Sequence, residues 1–298
     1  MKENKNFKSG FVSIVGMPNV GKSTLLNMIA GQKIAIISDK PQTTRNKILA
    51  IHTTEDEQII FTDTPGIHKP HNKLGEFMVK SANESMTDVD CILFLVDATK
   101  EIQKTERIIA ENIKHKGAPC ILVINKIDMI KKDSLLPMIA EYSNLHDFDS
   151  IVPMSAKTGD GIEILMNNIR QFIPEGPKFY YDDMVTDQPE KQIAAEIIRE
   201  KLLWLLDKEV PHGIAIEIER MKEGKSVTAI NASIYCEKGS HKGIIIGKNG
   251  EMLKKIGSMA RVDIEKMLDK KVYLELWVKV KPDWRNSNSM IKNFGFEE

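Results

Sequence analysis

The chain has 298 residues, and 42 Lys and Arg balance 42 Asp and Glu, so its net charge points to no polyanionic partner. Its three cysteines, Cys91, Cys120 and Cys236, are far apart and lack metal-ligand spacing, which favours reduced thiols in the cytosol. The N-terminus has no apolar signal segment, and no apolar run approaches the roughly 18 residues that a membrane span needs. We therefore expect a soluble protein and exclude disulfide scaffolds and integral membrane proteins.

The first part of the chain alternates short apolar runs with helical patterns. The apolar runs lie at residues 11–15, 58–61, 91–96, 120–124 and 151–153. This alternation predicts an α/β domain with a mostly parallel sheet and helices on both faces. We place this domain at residues 1–175, and a linker rich in turn residues at 176–190.

The remaining residues, 191–298, predict a second, α+β domain that includes a C-terminal tail. Apolar residues at helical spacing from Ile193 predict a helix that ends before Pro211. The elements that follow are a hairpin at 213–221 and 227–236, a glycine-punctuated segment at 243–250, a helix at 252–268 and a strand at 272–280.

A phosphate-binding loop follows the first predicted strand. Gly16 is separated by four residues from Gly21-Lys22-Ser23, and a helical pattern begins directly afterwards. In such a loop backbone N–H groups surround the β-phosphate, the lysine contacts the β- and γ-phosphates, and the serine coordinates Mg²⁺. The predicted nucleotide contacts here are Gly16, Pro18, Asn19, Val20, Gly21, Lys22, Ser23 and Thr24.

A second motif, Asp63-Thr64-Pro65-Gly66, closes the predicted strand at 58–61. We expect Asp63 to reach Mg²⁺ through water, Thr64 to line the site, and the Gly66 N–H to contact the γ-phosphate. Thr44, in the polar loop between the two motifs, is the favoured hydroxyl ligand of Mg²⁺, with Thr43 as the alternative. Lys22, Thr44 and Gly66 are then the groups expected to act on the reacting phosphate.

Two further motifs predict selection of guanine. Asn125-Lys126-Ile127-Asp128 follows an apolar strand, and the Asp128 carboxylate can accept hydrogen bonds from the guanine N1–H and 2-amino group, which adenine lacks. Asn125 can tie this loop to the phosphate loop, and Lys126 can lie along the base. Ser155-Ala156-Lys157 follows the last strand and is expected to place the Ala156 N–H on the guanine O6.

Several residues near these motifs bear on hydrolysis. Ile67 follows Gly66, and an apolar side chain cannot orient the attacking water, so we expect slow intrinsic hydrolysis of GTP. Arg45 could serve as an arginine finger in cis or be a surface charge. His68 and His71 resemble a catalytic pair but lack an orienting carboxylate, which favours solvated side chains.

The predicted second domain carries a candidate nucleic-acid loop. Ile246-Gly247-Lys248-Asn249-Gly250 has the G-x-x-G form of a KH module, which clamps about four nucleotides of a single strand. Glycines let a sugar-phosphate backbone approach, and Lys248 and Lys254 supply cations. From Lys238 to Lys292 there are thirteen Lys and Arg against six Asp and Glu. A basic surface of this kind fits RNA.

The four motifs of the first half resemble those of translation-factor-related GTPases. Asn19 matches the asparagine with which related GTPases bind K⁺; an asparagine that merely tolerates the turn stays an equal interpretation. A GTPase domain followed by a type II KH domain resembles the Era family of bacterial GTPases across nearly the whole chain. That resemblance implies GTP or GDP with Mg²⁺, a monomer, binding near the 3′ end of 16S ribosomal RNA, a role in 30S subunit assembly, and a cytoplasmic protein that associates peripherally with the inner membrane face.

Two other functions remain open at this point. One is a signalling GTPase whose second domain docks a protein instead of RNA, and the G-x-x-G loop discriminates this from the first interpretation. The other is an ATP-dependent metabolic kinase, which the guanine motif at Asn125 to Asp128 opposes.

Overall fold

The computed structural model describes residues 7–40, 42–67 and 69–296, which form two compact units. Unit 1 consists of Met1–Ala35, Thr44–Lys69 and Met78–Asp187, and unit 2 of Ile36–Thr43, Pro70–Phe77 and Gln188–Glu298. Two short segments, 36–43 and 70–77, therefore belong to unit 2, although the sequence placed them in the first domain. Residues 176–187, expected as linker, belong to unit 1.

Unit 1 is built on a six-stranded sheet. Its strands are Lys8–Gly16 (β1), Ile48–Thr53 (β2), Glu57–Asp63 (β3), Cys91–Asp97 (β4), Cys120–Asn125 (β5) and Ser150–Pro153 (β6). The strand order is β2-β3-β1-β4-β5-β6, and only β2 runs antiparallel to its neighbour. The five predicted strands are confirmed, and β2 is an edge strand that the sequence analysis missed.

Apolar side chains cover both faces of this sheet. The helices of unit 1 are Lys22–Ala30 (α1), Lys104–Lys114 (α3), Leu135–Ser143 (α4) and Ile162–Ile169 (α5), and Lys73–Glu84 (α2) begins in the unit 2 segment 70–77 and ends in unit 1. Leu25 of α1 and Leu165 of α5 pack with Ile14 on one face, while Ile109 of α3 packs with Phe94 on the other. Because both faces are covered, the predicted α/β class with a mostly parallel sheet is confirmed.

The direction of the strands positions the candidate nucleotide motifs. β1 ends at Gly16, β3 at Asp63 and β5 at Asn125. These three strands are parallel, so their carboxyl ends lie along one edge of the sheet, where ligands bind in open α/β sheets.

Residues 176–187 are attached to unit 1 through Gln58, a fully buried side chain of β3. Its Nε2 donates to the Tyr180 carbonyl at 3.0 Å, and its Oε1 accepts from the N–H groups of Phe179 and Tyr180 at 2.7 and 2.9 Å. The Ile51 N–H also donates to the Val185 carbonyl at 2.9 Å. These bonds satisfy a buried amide, so part of the predicted linker is fixed to the sheet.

Unit 2 contains a three-stranded sheet and four principal helices. In chain order they are Glu190–Leu205 (α6), Ala215–Glu223 (β7), Val227–Cys236 (β8), Gly239–Ile246 (α7), Glu251–Leu268 (α8), Lys271–Val280 (β9) and Asn288–Asn293 (α9). β8 lies between an antiparallel β7 and a parallel β9. The predicted hairpin, long helices and last strand are confirmed, whereas residues 243–246, the first half of the glycine-punctuated segment, belong to α7.

Segment 36–43 groups with unit 2 because its backbone is bonded to α6. The Ile37 N–H donates to Glu200 Oε1 at 3.0 Å, and Trp204 Nε1 donates to the Ile37 carbonyl at 2.9 Å. The Arg199 guanidinium donates to the Thr43 carbonyl. Arg199 and Glu200 are buried, so the bonds that these two residues make to segment 36–43 satisfy charged groups removed from water.

The three cysteines are buried and free, as the sequence predicts. Burial raises the pKa of the Cys91 thiol to about 12, and burial also raises that of Cys120. These thiols are therefore protonated and unreactive at neutral pH. Across the described ranges, no helix has both the length and the apolar character required to cross a membrane.

Candidate functional site

The phosphate loop runs from the end of β1 to the start of α1 in unit 1. Val20 is buried beneath it, while Pro18, Asn19 and Thr24 are partly exposed. The α1 N-terminus at Lys22 directs its first backbone N–H groups toward the loop, and it has no side-chain cap. This leaves a turn of N–H donors at a helix start, an arrangement suited to a phosphate.

Lys22 lies within the loop rather than in solvent. Its Nζ donates to the Met17 and Gly16 carbonyls at 3.0 and 3.3 Å. Burial lowers the pKa of Lys22 below its ordinary value, and the nearby Asp63 carboxylate opposes that shift. The ammonium group is thus held by backbone carbonyls where a bound phosphate would supply its counter-charge.

Ser23, Thr44 and Asp63 converge at one point in unit 1. Ser23 Oγ donates to Asp63 Oδ2 at 2.6 Å, Thr44 Oγ1 lies 2.9 Å from Ser23 Oγ, and Thr44 Oγ1 donates to Asp63 Oδ2 at 3.3 Å. Thr43 faces elsewhere, since its hydroxyl donates to the Lys40 carbonyl at 2.6 Å. Of the two threonines, the structure brings Thr44 to the predicted metal ligands.

These oxygens fit a magnesium ion. Asp63 is fully buried, and among the described residues its Oδ1 has no hydrogen-bond partner. Burial raises the pKa of the Asp63 carboxyl, although Lys22 and the hydroxyls of Ser23 and Thr44 oppose the shift. An orphaned carboxylate oxygen beside two hydroxyls is an all-oxygen donor set, the type that Mg²⁺ and its bound waters prefer.

The segment after β3 returns close to the phosphate loop at Gly66. A Cβ on Gly66 would lie 2.7 Å from Pro18 N and 2.8 Å from Pro18 Cα, so only glycine allows this approach. The Ile67 N–H donates to the Gly16 carbonyl at 3.3 Å, and Thr64 Oγ1 donates to the Ile14 carbonyl at 3.0 Å. The Gly66 backbone is therefore fixed beside the phosphate loop.

Ile67 is buried in the apolar cluster on the Phe94 face of the sheet. Its side chain cannot hold a water by hydrogen bonding. The observation agrees with the expectation that this position does not orient the attacking water.

Asn125 joins three parts of unit 1. Its Nδ2 donates to the Val20 carbonyl at 2.8 Å, and its Oδ1 accepts from the Ala156 N–H at 2.8 Å. The Ala156 N–H, which the sequence predicts on the guanine O6, is engaged by Asn125 in this structure. The reason is that the Asn125 amide is buried and requires an N–H donor for its oxygen.

Lys126 has a partner that the sequence analysis missed. Its Nζ donates to the Asn19 carbonyl at 2.8 Å and to Asp97 Oδ2 at 2.6 Å. Burial alone would raise the pKa of Asp97, but hydrogen bonds from Lys126 and Thr99 hold it below its ordinary value. Asp97 ends strand β4, and a carboxylate at the carboxyl end of a central parallel strand was the available signal.

The remaining residues of the two guanine motifs differ in their exposure to solvent. Asp128 and Lys157 are exposed, whereas Ser155 is buried and its Oγ accepts from the Thr158 N–H at 3.2 Å. Asp128 lies in a short 3₁₀ turn, Ile127–Met129, that follows β5 directly. The carboxylate is thus accessible to a base, while the loops around it are fixed.

Of the three other candidate catalytic residues, Arg45, His68 and His71, the structure describes Arg45 and His71. Arg45 is 2% exposed, so the interpretation as a surface charge is wrong. His71 is exposed and belongs to unit 2, and His68 lies outside the described residues. No histidine pair is therefore described at the phosphate loop.

The G-x-x-G loop of unit 2 joins α7 to α8. A Cβ on Gly247 would lie 2.7 Å from Met252 Cβ, and Gly247, Asn249 and Gly250 all have positive φ angles. Lys248 and Asn249 project into solvent at the tip. The loop is a tight turn whose exposed edge a nucleic-acid backbone can approach.

Apolar and basic groups flank this loop. Ile246, Met252 and Leu253 are half-buried beside it, and Lys254 is exposed on the first turn of α8. Half-buried apolar side chains offer a floor for bases, and the lysines offer charge for phosphates. The predicted RNA-binding residues therefore lie together on one end of unit 2.

Two family models match the chain. The 50S ribosome-binding GTPase family matches residues 11–126, and the KH domain family matches residues 209–285. The first range contains the phosphate and magnesium motifs and the first two residues of the guanine motifs, Asn125 and Lys126, and the second contains the G-x-x-G loop.

The similarity to individual proteins extends over nearly the full chain. GTPase Era of Ruminiclostridium cellulolyticum is 57% identical over 293 residues, which cover 98% of each protein. GTPase Era of Clostridioides difficile is 55% identical over 295 residues, which cover 98% of this chain and 99% of the relative.

Solved structures of Era proteins are also similar to this chain over nearly its full length. A variant of Aquifex aeolicus Era bound to GDP.AlF4⁻ is 43% identical with a TM-score of 0.95, covering 98% of this chain and 100% of that one. An Era in complex with MgGDPNP and nucleotides 1506–1542 of 16S ribosomal RNA is 44% identical, with the same TM-score and coverage. The chain therefore belongs to the Era family of GTPases.

Proposed function

We propose that this protein is a GTP-hydrolysing switch that binds 16S ribosomal RNA near its 3′ end and acts in assembly of the 30S subunit. The observation that carries the proposal is its full-length likeness to the Era whose partners are MgGDPNP and nucleotides 1506–1542 of 16S ribosomal RNA. Nucleotide binding is assigned to residues 1–175 and RNA binding to residues 191–298, with residues 176–190 between them.

In this proposal the phosphate loop holds the β- and γ-phosphates of GTP. Residues 16–24 supply backbone N–H donors, and Lys22 supplies the cation. Ser23 and Thr44 hold Mg²⁺ with their hydroxyls, and Asp63 holds a water of the ion through its unpartnered Oδ1. When bound, Mg²⁺ neutralises charge on the β- and γ-phosphates.

The residues on the γ-phosphate side stabilise charge but do not activate water. The Gly66 N–H and Lys22 act on the developing negative charge, Thr64 fixes the loop, and Ile67 contributes no polar group. Intrinsic hydrolysis is therefore slow, and a partner or a K⁺ ion bound near Asn19 raises the rate. Equal single-turnover rates in Na⁺ and K⁺ buffers would exclude the K⁺ arrangement.

Guanine is selected at the other end of the site. Asp128 accepts the N1–H and 2-amino group of the base, Lys126 lies along the ring, and Asn125 ties both to Val20 of the phosphate loop. The side of the site that faces the base is lined by Ser155, Ala156 and Lys157. Because a bound base would cover the Asp128 carboxylate, and adenine would leave it without donors, GTP should be preferred over ATP by about 10⁴-fold.

RNA binding is assigned to Ile246, Gly247, Lys248, Asn249, Gly250 and Lys254. Gly247 and Gly250 let the sugar-phosphate backbone approach, and Lys248 and Lys254 contact phosphates. The protein is proposed to act as a cytoplasmic monomer that associates peripherally with the inner face of the membrane.

The test compares two matched double variants of the full chain. Lys248→Asp with Asn249→Asp alters the loop, and Lys132→Asp with Ser134→Asp makes the same charge change at exposed positions of unit 1. Affinity for an RNA with the sequence of nucleotides 1506–1542 should fall at least 10-fold in the loop variant and little in the control. Equal affinities would favour the rival function, a signalling GTPase whose second domain docks a protein.

A second measurement separates the proposal from an ATP-dependent kinase. Asp128→Asn should remove most of the preference for GTP over ATP, whereas Asp133→Asn, at an exposed carboxylate nearby, should keep it. Equal affinity of the unaltered protein for ATP and GTP would support the kinase.

A further inference from the structure

The outward face of the unit 2 sheet carries two exposed aromatic side chains. In β9 the residues Val272 and Val278 point into the core of unit 2. Strand alternation then places Tyr273 and Trp277 on the opposite face, where they are 61% and 56% exposed. Large aromatic side chains exposed on one face of a sheet indicate an interaction surface.

The residues paired with these two aromatic residues on the neighbouring strand have small side chains. Tyr273 is paired with Ala229 and Trp277 with Ser233 on the central strand β8. Because the neighbours opposite are small, both rings stand above the sheet. They are four residues apart, a separation of about 13 Å along the strand.

Basic side chains border the two rings. Lys222 is paired with Ala229 across β7 and β8, Lys271 and Lys279 occupy outward positions of β9, and Lys281 directly follows that strand. The Lys271 side chain is 78% exposed, and its 3.5 Å ion pair with Glu265 is a surface pair of little strength. The surface thus joins flat aromatic rings to cations, as single-stranded nucleic-acid sites do.

Three glutamates share this face, and each is engaged by a neighbour. Glu219 is paired with Lys279 and accepts from Ser233 Oγ at 2.6 Å. Glu217 accepts from the Tyr235 hydroxyl at 2.9 Å, and Glu275 accepts from the Asn231 amide. Their charge is therefore partly satisfied within the sheet, while the lysines lie at its ends.

We propose that this surface, defined by Tyr273, Trp277, Lys222, Lys271 and Lys281, is a second RNA-binding surface that stacks bases of the same RNA. The inference rests on the proposed function. A G-x-x-G loop clamps about four nucleotides, whereas the RNA in the related complex extends from nucleotide 1506 to 1542, so most of such an RNA must lie elsewhere. A sheet face with exposed aromatic side chains stacks bases without requiring a fixed sequence.

The test uses the full chain and an RNA with the sequence of nucleotides 1506–1542. Tyr273→Ala with Trp277→Ala should weaken binding by about 10-fold or more, as expected for the loss of one or two stacked bases. Tyr273→Phe with Trp277→Phe should restore it, because the rings remain. Tyr181→Ala removes an 80% exposed aromatic side chain from unit 1 and should leave affinity unchanged.

Fluorescence gives a readout that a change in folding would not imitate. RNA should quench part of the tryptophan emission of the unaltered protein by stacking on Trp277. That part should be absent in Trp277→Phe, which retains Trp204 and Trp284. Quenching of the same size in both proteins would contradict the proposal.

The outcomes separate this inference from the proposed function. If Lys248→Asp with Asn249→Asp loses RNA binding while the alanine variant binds as the unaltered protein does, only the second surface is refuted. If neither variant changes RNA affinity, RNA binding through unit 2 is refuted altogether. If the alanine variant keeps RNA affinity but loses binding to phosphatidylglycerol vesicles, the face is a membrane surface and the inference is overturned.

Discussion

Asp63 accepts a hydrogen bond from Ser23 Oγ at 2.6 Å through one carboxylate oxygen, and its other oxygen is buried without a partner among the described residues. The first oxygen ties the end of β3 to the start of α1. The second is a strong acceptor that only a water or an ion could satisfy. One carboxylate thus links the phosphate loop to the proposed magnesium position.

The Asp63→Asn variant should bind Mg²⁺ more weakly. Loss of a group that holds a metal through water typically lowers metal affinity or activity by about 10- to 100-fold. The Mg²⁺ concentration that supports half-maximal GDPNP binding should rise accordingly, whereas Asp56→Asn, at an exposed carboxylate before β3, should leave it unchanged. An unaltered Mg²⁺ requirement in Asp63→Asn would remove Asp63 from the metal site.

The same substitution should alter the pH dependence of stability in the absence of nucleotide. Burial raises the pKa of Asp63 in the folded protein above the ordinary value of 3.8, so the folded state binds the proton more tightly than the unfolded state. The carboxyl group therefore contributes stability below pH 3.8 that is lost as the pH rises toward its folded pKa. The free energy of unfolding of the original protein, relative to Asp63→Asn, should fall over that range. If this difference in unfolding free energy rose with pH instead, the pKa of Asp63 in the folded protein would lie below its ordinary value.

Gly66→Ala should damage the γ-phosphate side of the site. The added Cβ would meet the Pro18 backbone at 2.7 Å, and strain of this kind costs about 1–3 kcal/mol. The melting temperature and the single-turnover rate of GTP hydrolysis should both fall. Gly239→Ala, where a Cβ meets nothing within 4 Å, is the matched control and should have little effect. Normal hydrolysis by Gly66→Ala would show that this backbone approach is dispensable.

Asp97→Asn should weaken the binding of GDP and of GTP to the same extent. The substitution removes the carboxylate that accepts a hydrogen bond from Lys126 Nζ at 2.6 Å. A hydrogen bond between charged groups contributes about 1.5–3 kcal/mol, so affinity for both nucleotides should fall by about 10-fold or more. Calorimetric titration with GDP measures the effect, and Asp133→Asn controls for loss of a carboxylate. A change confined to GTP would place Asp97 on the γ-phosphate side instead.

The sequence predicted the motifs of the nucleotide site because each depends on spacing along one strand and its following loop. Asp63 and Asn125 are found at the strand ends that their motifs required, and Ser23 lies in the first turn of α1, after the loop that follows β1. The choice of Thr44 over Thr43 was left open, since it depends on which residue of the loop faces Asp63. Only the folded chain fixes that orientation.

Other features depend on tertiary contacts that no local pattern records. Helix α7 contains Gly239 and Gly243 and a run of isoleucines, residues with low helix propensity, yet the packing of Ile245 in the unit 2 core stabilises it. The bond between Asn125 and Ala156 joins residues 31 positions apart. The bonds of Ile37 to α6 span 163 and 167 positions, so the grouping of residues 36–43 with unit 2 could not be anticipated.

A GTP-hydrolysing switch that binds RNA, as proposed above, implies that nucleotide state and RNA binding are coupled in one protein. Coupling between two ligands is reciprocal and typically amounts to about 5- to 150-fold in affinity. The most direct measurement is the affinity for GDPNP and for GDP, with and without an RNA having the sequence of nucleotides 1506–1542. We expect the RNA to change the ratio of the GDPNP and GDP affinities, and exchange of GDP for GDPNP to change the RNA affinity by the same factor. A ratio that RNA leaves unaltered, in a protein that binds both ligands, would contradict this coupling.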